Sequence, residues 1–404
     1  MRIVQKFGGS SVADAARIQR VAGILAETRR AGHQVVAVLS AQGDTTDELI
    51  EKARGLNPAP SPRELDALLC VGEQISVALM AMALEAMGEP TVSLTGWQIG
   101  LRTDSCHGAA RIRSIDSARL LRELEAGKIV LVCGFQGIDE AGDQTTLGRG
   151  GSDTSAVAIA AALGADKCQI YTDVEGVYTA DPRHVPGARK LAAVSYDEML
   201  ELASLGNQVL HNRSVELAKR YGVDLEVRSS FVRAPGTVVK EELTPMERMI
   251  ISGVAKEADI ARFTVRGLPD RPGAALRLFA LLSGADINVD LILQSAGTEG
   301  RSDLSFTLRR DDAVKARALL DANAAALGYR GLAVDADVAK VSIVGAGLMD
   351  APGMAVRMFE ALAEAGVNIQ MIASSEIKLS VLLHRTEAAA AVQAIHRRFF
   401  GDGD

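Results

Sequence analysis

At 404 residues the chain is too long for one ordinary domain, and at about 150 residues per domain it predicts roughly two to three. Hydrophobic residues make up 48% and charged residues 24%, the composition of a soluble globular protein. Acidic residues number 51 against 44 basic ones, for a formal charge of −7; this argues against a sequence-independent nucleic-acid binder, which needs an excess of Lys and Arg.

The opening MRIVQKFGGSS reads as a first strand, Arg2–Lys6, and not as the apolar core of a signal peptide. A helix is predicted through Asp14–Arg30, a strand over Gln34–Leu39, and a long helix over Glu64–Met87 that Gly88 closes. Further strands are predicted at Thr91–Leu94, Ile129–Cys133, Lys167–Thr172 and Asp224–Val227, and helices at Asp153–Leu163, Tyr196–Ser204 and Ser214–Tyr221. Such alternation gives an α/β fold with a largely parallel sheet sandwiched by helices, and ligands beyond the carboxyl ends of its strands. Ser229–Met249 carries two prolines and no clear period, and reads as the end of the first domain plus a linker.

Beyond the linker the chain repeats itself. Asp270-Arg-Pro-Gly273 returns as Asp350-Ala-Pro-Gly353, Phe279 as Phe359, and Ile287-Asn288-Val289 as Val367-Asn368-Ile369, each offset by 80 residues (273 to 353, 279 to 359, 288 to 368). Each copy reads as strand (Ala261–Val265; Lys340–Val344), D-x-P-G turn, helix, and a strand after an Asn. These are two small α+β units that bury little surface alone, which favours packing on each other or on a second chain. No uncharged apolar run reaches the ~18 residues of a membrane span. The four cysteines (Cys70, Cys106, Cys133, Cys168) form no CxxC pair and the six histidines no HExxH, so neither a disulfide framework nor a protein-held metal is expected. The expectation is a cytoplasmic protein without membrane or nucleic-acid partners.

Chemistry concentrates in glycine-rich strand ends. Lys6-Phe7-Gly8-Gly9-Ser10-Ser11 sets a lysine and consecutive glycines before a helix, a pattern that lets backbone amides approach a phosphate while the lysine adds a point charge. Taken alone, that stretch favours a plain strand-to-helix turn with a solvent-facing lysine. It is no Walker A loop, because Gly127-Lys128 is followed by Ile. Thr145-Thr-Leu-Gly-Arg149-Gly150-Gly151-Ser152-Asp153-Thr154-Ser155 repeats the arrangement with an arginine able to clamp a carboxylate; Asp153 in isolation would read as a helix cap. Tyr171-Thr172-Asp173-Val-Glu-Gly176-Val-Tyr178-Thr-Ala-Asp181-Pro182-Arg183 suits a nucleotide cradle with an arginine on the phosphates. Ser40-Ala-Gln-Gly-Asp-Thr45-Thr46-Asp47 and Gly72-Glu73-Gln74 are weaker signals, each of which alone reads as capping or surface.

In this order and spacing, KFGGSSV, LSAQGDTTDEL, GEQIS, TTLGRGGSDTSA and YTDVEGVYTADPR resemble the amino-acid kinase family, and within it the aspartokinases; the D-x-P-G repeat resembles a tandem pair of ACT regulatory domains. The resemblance implies a catalytic domain over 1–245 and ACT-like domains over 246–336 and 337–404. It implies phosphoryl transfer from Mg-ATP to the side-chain carboxylate of L-aspartate, a first step toward lysine, threonine and methionine. By resemblance, Lys6 neutralises the transferring group, Asp153 orients Lys6, and Phe7, Gly8 and Gly9 cradle phosphates. Ser40, Thr46, Glu73, Arg149, Gly150, Gly151 and Ser152 match the aspartate site, with Glu73 near the ammonium and Arg149 on a carboxylate. Thr172, Asp173, Tyr178, Arg183, Gln208 and Val209 match nucleotide positions. Many relatives carry Lys where this chain has Gln208, which reduces the charge there. Mg2+ would be held mainly by the nucleotide phosphates.

The ACT resemblance implies lysine, threonine or both as effectors, bound near Asp270, Gly273, Ala274, Ala275, Ile287, Asn288 and Gln294, with Asn368 and Ile369 in the second copy. A dimer or larger assembly through the ACT domains follows, and Met246 and Met249 would permit a separate small regulatory subunit from an internal start. Rival readings are another amino-acid kinase, a non-catalytic amino-acid sensor on a kinase scaffold, and a dinucleotide enzyme suggested by Val344-Gly345-Ala346-Gly347. The repeat and the intact Lys6, Arg149, Asp153 and Asp173 argue against the first two. Asp350 at the third glycine position argues against the last, since it would repel a pyrophosphate.

Overall fold

Near-continuous β-branched runs demand burial on both faces, and Gln34–Leu39 and Ile129–Cys133 are buried almost throughout. The computed structural model describes residues 1–404 apart from 205–208, 242, 244–248, 296, 298, 349–350 and 402–404. The chain divides into two units, Met1–Tyr178 with Lys190–Arg248, and Thr179–Arg189 with Met249–Asp404.

The strands of the first unit are β1 (Arg2–Phe7), β2 (Gln34–Leu39), β3 (Thr91–Leu94), β4 (Arg102–Thr103), β5 (Ile112–Ser114), β6 (Ile129–Cys133), β7 (Gln136–Ile138), β8 (Gln144–Thr146), β9 (Lys167–Thr172), β10 (Ala193–Ser195), β11 (Leu225–Ser229) and β12 (Thr237–Lys240). Its helices are α1 (Ala15–Arg30), α2 (Thr45–Leu56), α3 (Pro62–Ala86), α4 (Ala118–Glu125), α5 (Gly151–Leu163), α6 (Tyr196–Ser204) and α7 (Asn212–Tyr221). An eight-stranded sheet in the order β10-β12-β11-β9-β1-β2-β6-β3 is parallel from β11 to β3, with β12 antiparallel to β11. Phe7 pairs with both Leu39 and Tyr171, so β1, β2 and β9 end level and their following loops share one rim. A small sheet, β5-β4-β7-β8, lies beside the large one in sequence and carries the chain toward α5.

The stretch read as a linker contains β12, which closes the sheet against β11 and β10. The helix α3 is long and apolar enough to cross a membrane by length and composition alone, but Asp66, Glu73 and Glu85 interrupt it, so it holds no long uncharged run. Asp66 and Glu73, 1% and 3% exposed, lie on the face packed into the unit.

In the second unit the strands are β13 (Gly253–Glu257), β14 (Ile260–Pro269), β15 (Val289–Gln294), β16 (Arg301–Arg309), β17 (Gly331–Asp335), β18 (Val338–Val344), β19 (Met371–Ser374) and β20 (Lys378–His384). The helices are α8 (Ala274–Ser283), α9 (Ala313–Ala322), α10 (Ala324–Leu327), α11 (Met354–Glu364) and α12 (Ala388–Phe400). Two four-stranded antiparallel sheets result, β15-β16-β14-β17 and β19-β20-β18-β13, which match strand for strand across the repeat.

The contiguous domain limits 246–336 and 337–404 do not describe this arrangement. The first copy takes its fourth strand, β17, from the sequence that follows it, whereas the second copy takes β13, which precedes the first. Gly345 and Gly347 serve that exchange: a Cβ on either would run into Ile250, just before β13. That close approach, and no pyrophosphate, accounts for the Gly-Ala-Gly stretch. Thr179–Arg189, inside the expected 1–245 domain, groups with the second unit, where Ala180 and Val185 join the core of the second copy.

Buried Lys340 on β18 ties the two copies together, reaching Glu257 on β13 at 2.7 Å and Asp290 on β15. Burial alone would lower its pKa, but the two carboxylates outweigh burial and hold it above the ordinary lysine value. A fragment of residues 249–404 should fold with a higher melting temperature than one of residues 259–404, which exposes the edge of β18. Thermal melts of the two decide; equal midpoints would show that β13 is dispensable.

Candidate active site

Lys6 is the penultimate residue of β1, and neighbours on a strand face opposite ways, so Lys6 and Phe7 look to different sides of the sheet. The Lys6 ammonium lies 2.7 Å from the Asp153 carboxylate, each side chain 12% exposed. Asp153 stands in the first turn of α5, whose N-cap is Gly150, so it is an ion-pair partner and not the cap. A Cβ on Gly8 would sit 3.4 Å from the Lys6 Nζ, so backbone and ammonium converge on one spot. The single turn Gly9–Ser11 uses the Ser11 and Val12 amides for its own bonds to Gly8 and Gly9, which leaves the Gly9 and Ser10 amides for a ligand.

Close packing knits this loop to the next. A Cβ on Gly9 would fall 2.7 Å from the Ala41 carbonyl, and the Gly43 amide donates to Gly9 at 3.1 Å. A Cβ on Gly72 would lie 2.7 Å from that of Ala41, so glycine lets α3 settle directly on the loop after β2. The consequence is the placement of Glu73. Its Oε1 accepts from the Ala41 amide at 3.1 Å, while Oε2 is buried with no partner. Burial pushes its pKa up to about 8, against the smaller lowering by backbone amides. A buried carboxylate oxygen without a donor fits a ligand that brings one, such as an ammonium.

Ser40 follows β2, and its amide bonds Phe7. Thr46 is half-buried in the first turn of α2. Ser152 lies against Gly134, whose amide bonds Leu39, so the α5 loop meets the end of β2. Gly151 packs on Phe135, and Gly150 (φ 68) leaves no room for a side chain beside His211. Arg149 is exposed and has no ion-pair partner among the described residues. Thr172 ends β9 next to Gly8 and donates to the exposed Asp173 at 3.1 Å; Tyr178 is half-buried and bridges Lys190. Val209 stands in the turn that leads to His211, whereas Gln208 lies outside the described residues. Arg183 groups with the second unit, and its guanidinium holds Asp181 at 2.8 Å.

Sequence reasoning missed Gly134 and Phe135, the latter in the left-handed region (φ 66) while its amide bonds Ser155. The signal available was Gly-Phe after an uninterrupted buried strand. It also missed Asp66, which accepts from Thr146 through both amide and hydroxyl, from the Gly108 amide and from His107. His107, Asp139 and Asp143 bring possible metal ligands within 4.8 Å, but Asp66 holds His107 and Arg63 holds Asp143. In the second unit, Asp270, Gly273, Ala274 and Ala275 form the turn and start of α8, while Asn288 and Gln294 flank and end β15; the Ile287 side chain is in the core. Asn368 and Ile369 occupy the equivalent place before β19, and Asp350 and Met246 lie outside the described residues.

Residues 1–229 match the Amino acid kinase family, and residues 264–323 and 341–399 match the ACT domain. An aspartokinase from Mycolicibacterium smegmatis is 51% identical over 407 residues, spanning 100% of this chain and 97% of that protein. Among solved structures, E. coli aspartokinase III in complex with aspartate and ADP (R-state) superposes with a TM-score of 0.83 at 27% identity, covering 99% of this chain and 100% of that one. The same enzyme in complex with lysine and aspartate (T-state) gives 0.79 at 27%, covering 98% and 99%. The chain belongs to the amino acid kinase family, in its aspartokinase branch with tandem ACT domains.

Asp66→Ala would strand the Thr146 and Gly108 donors and should lower stability by about 3 kcal/mol. Denaturant melts check this, with a loss under about 1 kcal/mol counting against Asp66 as the anchor of β8.

Proposed function

We propose that this chain transfers the γ-phosphoryl group of ATP to the side-chain carboxylate of L-aspartate, giving 4-phospho-L-aspartate and ADP. The observation that carries the reading is the Lys6–Asp153 pair at the rim of β1, set beside the Gly8–Gly9 backbone and in one loop cluster with the orphaned oxygen of Glu73. The relative solved with aspartate and ADP supports the choice of substrates. An aspartate carboxylate oxygen bonds the γ-phosphorus as the bond to the β,γ-bridging oxygen breaks, and that electron pair leaves with ADP. The nucleophile is already ionised at pH 7, so no general base is required. Catalysis rests on alignment and charge stabilisation, as in phosphoryl transfer generally.

Lys6 neutralises charge on the transferring group, and Asp153 keeps that lysine charged and aimed. The Gly9 and Ser10 amides take phosphate oxygens, with Thr172, Asp173, Tyr178 and Val209 on the nucleotide. Glu73 accepts the substrate ammonium, and the unpaired Arg149 clamps a carboxylate beside Ser40, Thr46 and Gly150–Ser152. Mg2+, when bound to the ATP phosphates, supplies further neutralisation; Asp153 is committed to Lys6, which leaves the phosphates to hold the ion.

For regulation we favour lysine, threonine or both at the turn before α8 and β15, supported by the relative solved with lysine. The outer edge of β15 exposes Ile292 and Leu293 by half, which supports association through the ACT-like units of a second chain. The Thr179–Arg189 segment offers a covalent route between units: it leaves the kinase unit at Tyr178 and returns at Lys190. The second unit grips it through the Val254 amide on Thr179 and through His396 on the Thr179 hydroxyl at 2.8 Å. A cytoplasmic place at the head of lysine, threonine and methionine synthesis belongs to the same reading.

Hydroxylamine trapping of acyl phosphate decides the matter. Aspartate-dependent, glutamate-independent hydroxamate is expected, with loss on adding lysine, threonine or the pair; an absence of hydroxamate would overturn the reading. Lys6→Ala should lower kcat by about 10²–10³-fold in folded enzyme, with thermal melts reading separately the loss of stability from the unpaired Asp153 carboxylate. The raised pKa of Glu73 has a definite sign: below about 8 the free carboxyl is protonated and a poor ammonium acceptor. The KM for aspartate should therefore fall as pH rises toward about 8. Glu73→Gln should abolish that trend, and a KM profile identical to the parent would refute the assignment.

A further inference from the structure

Behind the phosphate loop, on the α1 face of the sheet and so opposite Lys6, lies a cavity of about 660 Å³, within the size range of small-molecule sites. Tyr171 lines it and stacks on Phe7 with ring centres 4.5 Å apart. One wall is α1 from Arg20 to Thr28; the other is the end of β11 with the loop through Pro235.

Charge is sorted along the cavity. The helix α1 descends from the phosphate loop, so Arg20 stands nearer that loop than Glu27, which is about 10 Å further along the axis. On β11, Arg228 stands at the loop end and Glu226, on the same face, about 7 Å below it. Both walls thus set arginine at the upper end and carboxylate at the lower. The pairings already present are light. Arg233 meets Glu27 at 2.7 Å, but their side chains are 78% and 55% exposed, an exchangeable surface pair. Arg228 is 3.7 Å from Glu226, and Arg20 has no carboxylate partner among the described residues, resting only over the Phe231 ring at 5.5 Å.

The floor is polar where a parallel sheet is ordinarily apolar. Gln5, 1% exposed, donates to Thr28 at 3.2 Å and to Gln169 at 2.8 Å, and its own side-chain oxygen is buried without a partner. Gln169 in turn donates to Glu226 at 2.8 Å. Buried amides carry a desolvation cost that packing a helix on a sheet does not require, and they suit the base of a polar ligand site.

We infer that this cavity binds a small zwitterion with an acid at one end of a flexible methylene chain and an amine at the other. The acid lies on Arg20 and Arg228, and the amine between Glu27 and Glu226. Occupancy reaches the phosphate loop directly. The Ser230 hydroxyl bonds that of Ser11 at 2.8 Å, the Ser230 amide donates to Thr172 at 2.9 Å, and Arg17 stacks on Phe231 while donating to the Ser10 carbonyl at 2.6 Å. This coupling rests on the kinase reading above; the binding itself does not.

The test is calorimetry on the full chain with 6-aminohexanoate, using hexanoate and hexylamine as single-charge controls. Saturable binding about tenfold tighter than either control is expected, the effect of one added charged contact. Arg20→Ala and Glu27→Gln should each weaken it by about as much, with Arg20→Lys retaining part and serving where Arg20→Ala fails to fold. No saturable binding, equal binding of the controls, or equal binding by the variants overturns the site. In the kinase assay, 6-aminohexanoate should shift the KM for ATP severalfold in the parent and not in Glu27→Gln. Binding without that shift removes the coupling and leaves the site. Failure of the kinase reading leaves the calorimetric arm intact.

Discussion

The pairing of Lys6 with Asp153 is the contact on which the arrangement of the active rim depends. It joins the end of a central strand to the first turn of the helix that covers it, at 2.7 Å and with each side chain 12% exposed. A pair so withdrawn from water gives little net stability, because desolvation consumes most of the Coulombic gain. Its value is geometric: the lysine is held at the one point where the Gly8 backbone also arrives. Cys168, buried on the adjacent strand, feels both charges, and burial with Asp153 pushes its thiol pKa up despite Lys6. The pair is withdrawn from water, where a point charge acts at greater strength than at the surface.

The rest of the rim follows from level strand ends. Because β1, β2 and β9 stop in register, the loops after them must share space, and close backbone approach solves the crowding. Glycines 9 and 72 are where that approach occurs, and Glu73 is placed by it. The motifs were legible in sequence for this reason: a glycine required by contact leaves a mark that spacing and resemblance can read. Glu73 illustrates the limit of such reading. Alone in its helix it resembled a surface residue, and only the packing of Gly72 on Ala41 turns it inward beneath an apolar layer.

What sequence did not reveal was pairing at long range. The strands β10 and β12 are short, carry no sustained alternation and exist because β11 leaves an edge to cover. The second ACT-like copy takes its edge strand, β13, from the sequence before the first copy, and local pattern cannot say which strand fills an open edge. The place of Thr179–Arg189 was hidden in the same way: it continues a run of nucleotide-like motif in sequence, while Ala180 and Val185 pack in the core of the second unit.

That detour has a mechanical consequence independent of any effector's identity. A segment whose ends, Tyr178 and Lys190, pair with each other in one unit while its middle is buried in another is fixed at both places. Thr179 carries the junction: its hydroxyl accepts from the Arg189 amide and meets His396, while its carbonyl accepts from Val254. The Thr179 hydroxyl and the imidazole share a hydrogen bond of 2.8 Å, and burial lowers the pKa of His396, which favours its neutral form. A rearrangement of the α12–β13 core cannot leave this junction untouched, because its hydrogen bonds are buried and have no water to exchange with. The two units are joined here by the chain itself, through the peptide bond between Tyr178 and Thr179.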